Sequence, residues 1–253
     1  MAHDIDYTII GDDMQAVEIE LDPNEAVRAE VGAMLFMEDD IEMQTGTGGG
    51  IFSGLKRVIA GENFFITSFL STATSGKRKV TFAAPYPGKI IPINLVEVGG
   101  SFLCQRDGFL CAAQGIDISV EFTKRIGAGL FGGEGFILQR LSGDGKVFIH
   151  AGGTVIKKEL KPNERLRVDT GCLVALQPTV DYDIQFIGGF KNVLFGGEGL
   201  FYATLKGPGI VYLQTLPFSR LADRIITASK WGNRKEESRG IGGLLGGLIS
   251  GNE

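Results

Sequence analysis

The sequence predicts an all-β protein. Three tandem copies of one β-rich repeat are expected to close into a pseudo-threefold β barrel or prism, followed by one C-terminal amphipathic helix and a Gly/Leu-rich tail. Three observations predict this. A six-residue string recurs without change, apolar and polar residues alternate at period two, and 38 glycines against 8 prolines mark many tight turns. No Gly-X-Y period accompanies the glycine, so a collagen helix is excluded.

The recurring string is Leu130-Phe131-Gly132-Gly133-Glu134-Gly135, which returns 64 residues later as Leu194-Phe195-Gly196-Gly197-Glu198-Gly199. The same offset brings Ser142-Gly143-Asp144-Gly145 onto Lys206-Gly207-Pro208-Gly209, Val147 onto Val211 and Phe122 onto Phe186. A weaker upstream copy, Gly61-Glu62-Asn63-Phe64-Phe65, matches Gly133 to Ile137. Leu21-Asp22-Pro23-Asn24-Glu25 recurs as Leu160-Lys161-Pro162-Asn163-Glu164. A glycine before an apolar run appears three times, at Gly32-Ala33-Met34-Leu35, Gly108-Phe109-Leu110-Cys111 and Gly171-Cys172-Leu173-Val174. These anchors place one β domain over 1–217, with repeats at about 15–88, 89–153 and 154–217.

Within each repeat the strands follow from alternation. Val17, Ile19 and Leu21 alternate with Glu18 and Glu20, Val27, Ala29 and Val31 with Arg28 and Glu30, and Leu166 and Val168 with Arg165, Arg167 and Asp169. Period two puts one face in the core and one in water. Asp22-Pro23-Asn24-Glu25 reads as a turn, because Pro fixes φ and Asn tolerates tight geometry. Ser142 to Gly145 and Lys206 to Gly209 read as hairpin turns. Closure into a barrel would remove exposed sheet edges, which long β chains must otherwise protect.

After Pro217 the period changes. Phe218, Leu221, Ala222, Ile225 and Ile226 share one face of a helix predicted over 218–232, with Ser219 as N-cap and Gly232 as stop. Residues 233–253 form a polar linker and a tail carrying Ile241, Leu244, Leu245, Leu248 and Ile249. Apolar pairs in a glycine matrix order poorly by themselves. They suit an assembly or membrane-surface contact, and are too few to span a bilayer.

Composition narrows the function classes. The 253 residues carry a net charge of −5, and the basic groups at Lys56-Arg57, Lys77-Arg78-Lys79, Lys124-Arg125 and Lys157-Lys158 are scattered, so nucleic acid is an unfavoured partner. The three cysteines, Cys104, Cys111 and Cys172, form no C-x-x-C pair, and the acidic N-terminus lacks a signal-peptide core. A reducing cytoplasm fits both. Only His3, near a start expected to fray, and His150 are available as imidazoles, so neither a zinc-ligand set nor a catalytic triad context is present in the sequence, and no cofactor or metal is expected.

Two glycine motifs are decoys. Gly127-Ala128-Gly129-Leu130-Phe131-Gly132 matches G-x-G-x-x-G but leads into a strand rather than a helix, and Gly50 to Lys56 lacks the Gly-Lys-Ser/Thr end of a P-loop. One constellation carries candidate chemistry. Glu62, Glu134 and Glu198 fall at equivalent places in three repeats, as turn carboxylates or as a threefold site for a hard cation.

The run Gly197-Glu198-Gly199 through Gly207-Pro208-Gly209-Ile210-Val211-Tyr212-Leu213-Gln214-Thr215, followed by Leu216-Pro217-Phe218-Ser219-Arg220-Leu221-Ala222, resembles the altered-inheritance-of-mitochondria (mitochondrial biogenesis) family. The resemblance spans nearly the whole chain from about residue 5. It implies a β fold near the tryptophan-binding RNA attenuation protein (TRAP-like), a link to membrane organisation, no enzyme activity and no established ligand. The expectation is therefore a non-enzymatic structural or interaction protein: a homo-oligomer with peripheral membrane contact through its tail. A small-molecule or single-stranded RNA binding module is the alternative.

Overall fold

The computed structural model describes residues 1–30, 32–45, 66–124, 136–187 and 200–229. The first eight strands are β1 (Asp6–Ile10), β2 (Ala16–Leu21), β3 (Ala26–Glu30), β4 (Met34–Met37), β5 (Ile41–Thr45), β6 (Ile66–Ser71), β7 (Arg78–Ala83) and β8 (Gly88–Asn94). The next five are β9 (Ser101–Gln105), β10 (Phe109–Ala113), β11 (Asp117–Lys124), β12 (Phe136–Ser142) and β13 (Lys146–Gly152). The last six are β14 (Val155–Leu160), β15 (Arg165–Asp169), β16 (Leu173–Leu176), β17 (Asp181–Ile187), β18 (Leu200–Lys206) and β19 (Gly209–Gln214). The chain divides into two compact units, Met1–Pro217 and Phe218–Glu253. The first is all-β apart from three short 3-10 turns among its described residues.

Alternation governs the strands as the sequence predicts. On β2, Val17, Ile19 and Leu21 are fully buried while Glu18 and Glu20 keep solvent contact. Two apolar clusters result. The larger holds β2, β3, β7, β10 and β13 together around Phe69, Phe82, Phe102 and Phe148. The smaller joins Phe136 and Leu138 to Leu173, Ile184 and Leu205. Phe69 and Phe82 meet edge to face at 5.1 Å, the arrangement aromatic quadrupoles prefer.

The strands pair in four sheets: β1-β2-β7-β4, β5-β6-β3-β10-β13-β8, β11-β12-β9-β16-β19-β14 and β15-β18-β17. The second and third are one order shifted by six strand numbers. Apart from β1, the other two are the halves of such a sheet, parted where the others carry the ladders β3–β10 and β9–β16. A bulge recurs at Met34/Phe36, Phe109/Cys111 and Leu173/Ala175, where β4, β10 and β16 meet β7, β13 and β19.

Among the described residues no closed barrel forms. Closure would need β15 to pair with β4, yet each ends its sheet. Period-two patterning fixes which face of a strand is buried. It does not fix the twist and tilt accumulated round a ring, on which closure depends. The turn expectations also need correction. Ser142 to Gly145 joins β12 to β13, and Lys206 to Gly209 joins β18 to β19, strands of different sheets. These turns are corners rather than hairpins, and so is Asp22 to Glu25. Local sequence sets turn geometry but not which sheet receives the next strand.

Two corners are built alike. Asn24 and Asn163 take φ of 66° and 64°, left-handed values that asparagine tolerates. The Asp22 and Lys161 amides donate to Glu25 and Glu164 Oε2, each at 2.9 Å. The N-terminus is not frayed. His3 Nδ1 accepts the Ala26 N–H at 2.8 Å, Ala2 N–H donates to Asp144 at 2.6 Å, and Ile5 is fully buried. In the second unit a helix covers residues 218–229, so Ser219 lies in its first turn rather than capping it. Residues 230–253 lie outside the described residues, and with them Gly232 and the tail.

Candidate functional site

Glu62, Glu134 and Glu198 lie outside the described residues, as do Ile241, Leu244, Leu245, Leu248, Ile249 and both glycine decoys. Among the described residues no three His, Cys, Asp or Glu side chains are grouped to hold a metal ion. The chemistry available elsewhere gathers at the seam between β8, β10 and β13.

There His150 on β13, opposite Ile90 of β8, is 3% exposed. β13 is buried on both faces from Val147 to Gly152, and Gly88 makes room for the His150 ring. A Cβ on Gly88 would lie 2.6 Å from the imidazole Cε1 and Nε2, and 2.2 Å from the Ala151 carbonyl. Tyr86 packs edge-on against the ring at 4.5 Å and donates its hydroxyl to the Asp107 carbonyl at 3.3 Å. Among the described residues the imidazole Nδ1 meets no hydrogen-bond partner. Burial therefore pushes the His150 pKa down to about 4 and keeps the ring neutral at physiological pH.

Burial also shifts the neighbouring titratable groups. Burial, reinforced by the Glu30 charge, pushes the Cys104 thiol far up; burial alone does so at Cys111. Neither supplies a thiolate nucleophile. Glu30 rises to about 7, first through dehydration and then through Asp107, against the pull of Arg106. The residue as a whole stays exposed, so solvent screens much of that penalty. The imidazole itself lies within the buried core of the seam.

Four of the basic groups that could have met phosphate are engaged elsewhere. Lys79 bonds Glu18 at 2.6 Å and Glu20 at 3.1 Å, Arg78 pairs with Asp40 at 2.9 Å, and Lys77 pairs with Asp6. Lys157 Nζ sits 5.8 Å over the Tyr212 ring. Lys56-Arg57 and Arg125 lie outside the described residues. An open groove of about 640 Å³ lies where the 159–162 corner meets Gln177, Thr179 and Pro208-Gly209. The Gln177 side-chain carbonyl there is already spent on the Ile210 N–H at 2.8 Å.

The described surface shows its sharpest anomaly at β4. By the bulge register, Leu35 and Phe36 occupy the places that Leu110 and Cys111 hold on β10, and Val174 and Ala175 on β16. Those four are 0–1% exposed, whereas Leu35 is 60% and Phe36 50% exposed. The difference has a cause. β3 pairs with the outer edge of β10 and β9 with that of β16, and no described strand covers β4. In the sequence, Met34-Leu35 is one of three glycine-led apolar runs, and such a run reads the same whether its partner strand is present or not.

Three comparisons bear on this arrangement. Residues 7–216 match the sequence model of the family described as mitochondrial biogenesis AIM24. The uncharacterised protein M6_Spy0233 of Streptococcus pyogenes serotype M6 is 29% identical over 214 residues, covering 81% of this chain and 83% of that protein. The X-ray structure of SPYM3_0169 from Streptococcus pyogenes superimposes with a TM-score of 0.73 at 24% identity, covering 88% of this chain and 99% of the other. That likeness shows a shared fold.

Proposed function

The chain belongs to the mitochondrial biogenesis AIM24 family, and from that membership and its open strand edge we propose that it is a non-enzymatic structural or interaction protein that self-assembles. One observation carries the reading. Leu35 and Phe36 stand 60% and 50% exposed on a strand edge that no described strand pairs, at positions the same chain buries twice elsewhere. Exposed apolar edges are what proteins protect unless they are used. Two other edges here are protected: β8 carries Pro92 and β14 carries Lys157 and Lys158 facing water. β4 reads Met-Leu-Phe-Met and has neither device.

The reading includes the modular build. Strand pairing that recurs in steps of six, together with three like-placed bulges, supports three tandem modules with an unused interface at each end. The sealed His150 and the protonated Cys104 and Cys111 thiols support a body without catalytic machinery. A membrane contact would fall to Ile241, Leu244, Leu245, Leu248 and Ile249, and flotation with anionic vesicles, with and without residues 240–253, tests that part. Light scattering of the full chain across a concentration series tests self-assembly. Association that rises with concentration supports it, and a monomer at every concentration defeats it.

A further inference from the structure

We propose that the outer edge of β4 is a docking site for β15 of a second copy of this chain, joined antiparallel in one definite register. The inference rests on the self-assembly reading and names its partner and geometry.

The chain supplies its own template. In the ladder β3–β10, Val27, Arg28 and Ala29 face Ala113, Ala112 and Cys111. In β9–β16, Leu103 and Cys104 face Leu176 and Ala175. The next member of the series on one side is β15. Its Val168 faces Ala203 on β18 as Cys104 faces Gln139 on β12 and Ala29 faces Thr67 on β6. The next member on the other side is β4, where Phe36 and Met37 face Thr81 and Val80 on β7 as Cys111 and Ala112 face Phe148 and Val147 on β13. Both strands end their sheets. Carrying the internal register across gives Phe36 opposite Val168, Met37 opposite Arg167 and Glu38 opposite Leu166. A slip of one residue would send every side chain to the wrong face.

Two further features fit. First, the Gln114 N–H extends the β3–β10 ladder by donating to the Ala26 carbonyl at 3.0 Å. Its counterpart on β16 is Pro178, which has no N–H to give. On β4 the counterpart is Asp39, which can donate to the Arg165 carbonyl of the second copy. Second, the charges complement. Arg165 of one copy comes to face Asp39 of the other, and such pairing sets orientation and register. The contact is head-to-tail, so each copy keeps a free β4 or β15 at its far end. Such assemblies close into rings or grow as filaments.

The test uses a mixture of two single variants, Met37→Cys and Arg167→Cys, each in a Cys172→Ser background, oxidised together. Because each chain carries one new thiol, a disulfide joining the two variants can only be intermolecular. The expected result is a mixed dimer on a non-reducing gel that disappears when Phe36→Asp is added to the first chain. As a register control, Leu35→Cys is mixed with Arg165→Cys, pairing positions about 14 Å apart in this register by strand rise. It should cross-link at background level. A wild type that assembles in light scattering while the Met37/Arg167 pair gives no more product than the control overturns the docking register and leaves self-assembly standing. A wild type that stays monomeric overturns both.

Discussion

Burying an imidazole whose Nδ1 meets no partner among the described residues makes folding sensitive to acid at His150. Its pKa falls from 6.5 to about 4 on folding, and burial is the cause. The sign follows from which state takes the proton first. Between about pH 6.5 and pH 4 the unfolded chain binds a proton that the folded chain refuses, so stability drops on acidification through that window and levels off below it. A difference of about 2.5 pH units corresponds to about 3 kcal/mol lost between pH 7.5 and pH 4. The perturbation that isolates it is His150→Phe, which keeps a ring against Tyr86 and removes the proton site. Urea denaturation of wild type and variant is compared across that range. Glu30, raised to about 7, gives the opposite slope, but it is present in both chains and cancels in the difference. The variant should hold its relative stability at neutral pH within about 1 kcal/mol and gain about 3 kcal/mol over wild type by pH 4. Parallel pH profiles for the two chains would refute the argument that His150 is buried neutral.

Other substitutions test the packing around the corners and the thiols. Gly152→Ala places a Cβ 1.9 Å from the Leu216 carbonyl, a backbone atom that cannot swing aside, and should cost about 3 kcal/mol in thermal or urea melts. Lys79→Met strips the cation from Glu18 and Glu20, so it should lower stability in dilute buffer by more than in high salt, as read by melting in both. A thiol-reactive chromophore should label the half-buried Cys172 in the native protein and reach Cys104 and Cys111 only on unfolding.

What the sequence reveals and what it conceals divide along one physical line. Local rules succeed. Val17, Ile19 and Leu21 face inward because side chains alternate on a strand, and Asn24 and Asn163 turn the chain because asparagine tolerates a left-handed φ. Long-range pairing is not written in the same way. Ser142 to Gly145 has the composition of a hairpin and serves as a corner between sheets, since either use asks the same of its backbone. Leu35 and Leu110 are alike in sequence context, yet one is 60% and the other 1% exposed, because a partner strand arrives at only one of them. The binding of His3 to the Ala26 amide likewise depends on a contact 23 residues away. The candidate site at β4 was visible as an apolar run and legible as an interface only once its neighbours were placed. The three glutamates and the apolar tail, which the repeat and the composition single out, lie outside the described residues.

Sedimentation equilibrium on the wild-type chain and on Phe36→Asp tests most directly the claim that β4 is an unfilled strand interface. The wild-type average mass should climb above 27.1 kDa as concentration rises, while the variant, folded to the same degree by circular dichroism, should remain at 27.1 kDa. A wild type fixed at 27.1 kDa, or a variant that associates as strongly as wild type, would contradict it.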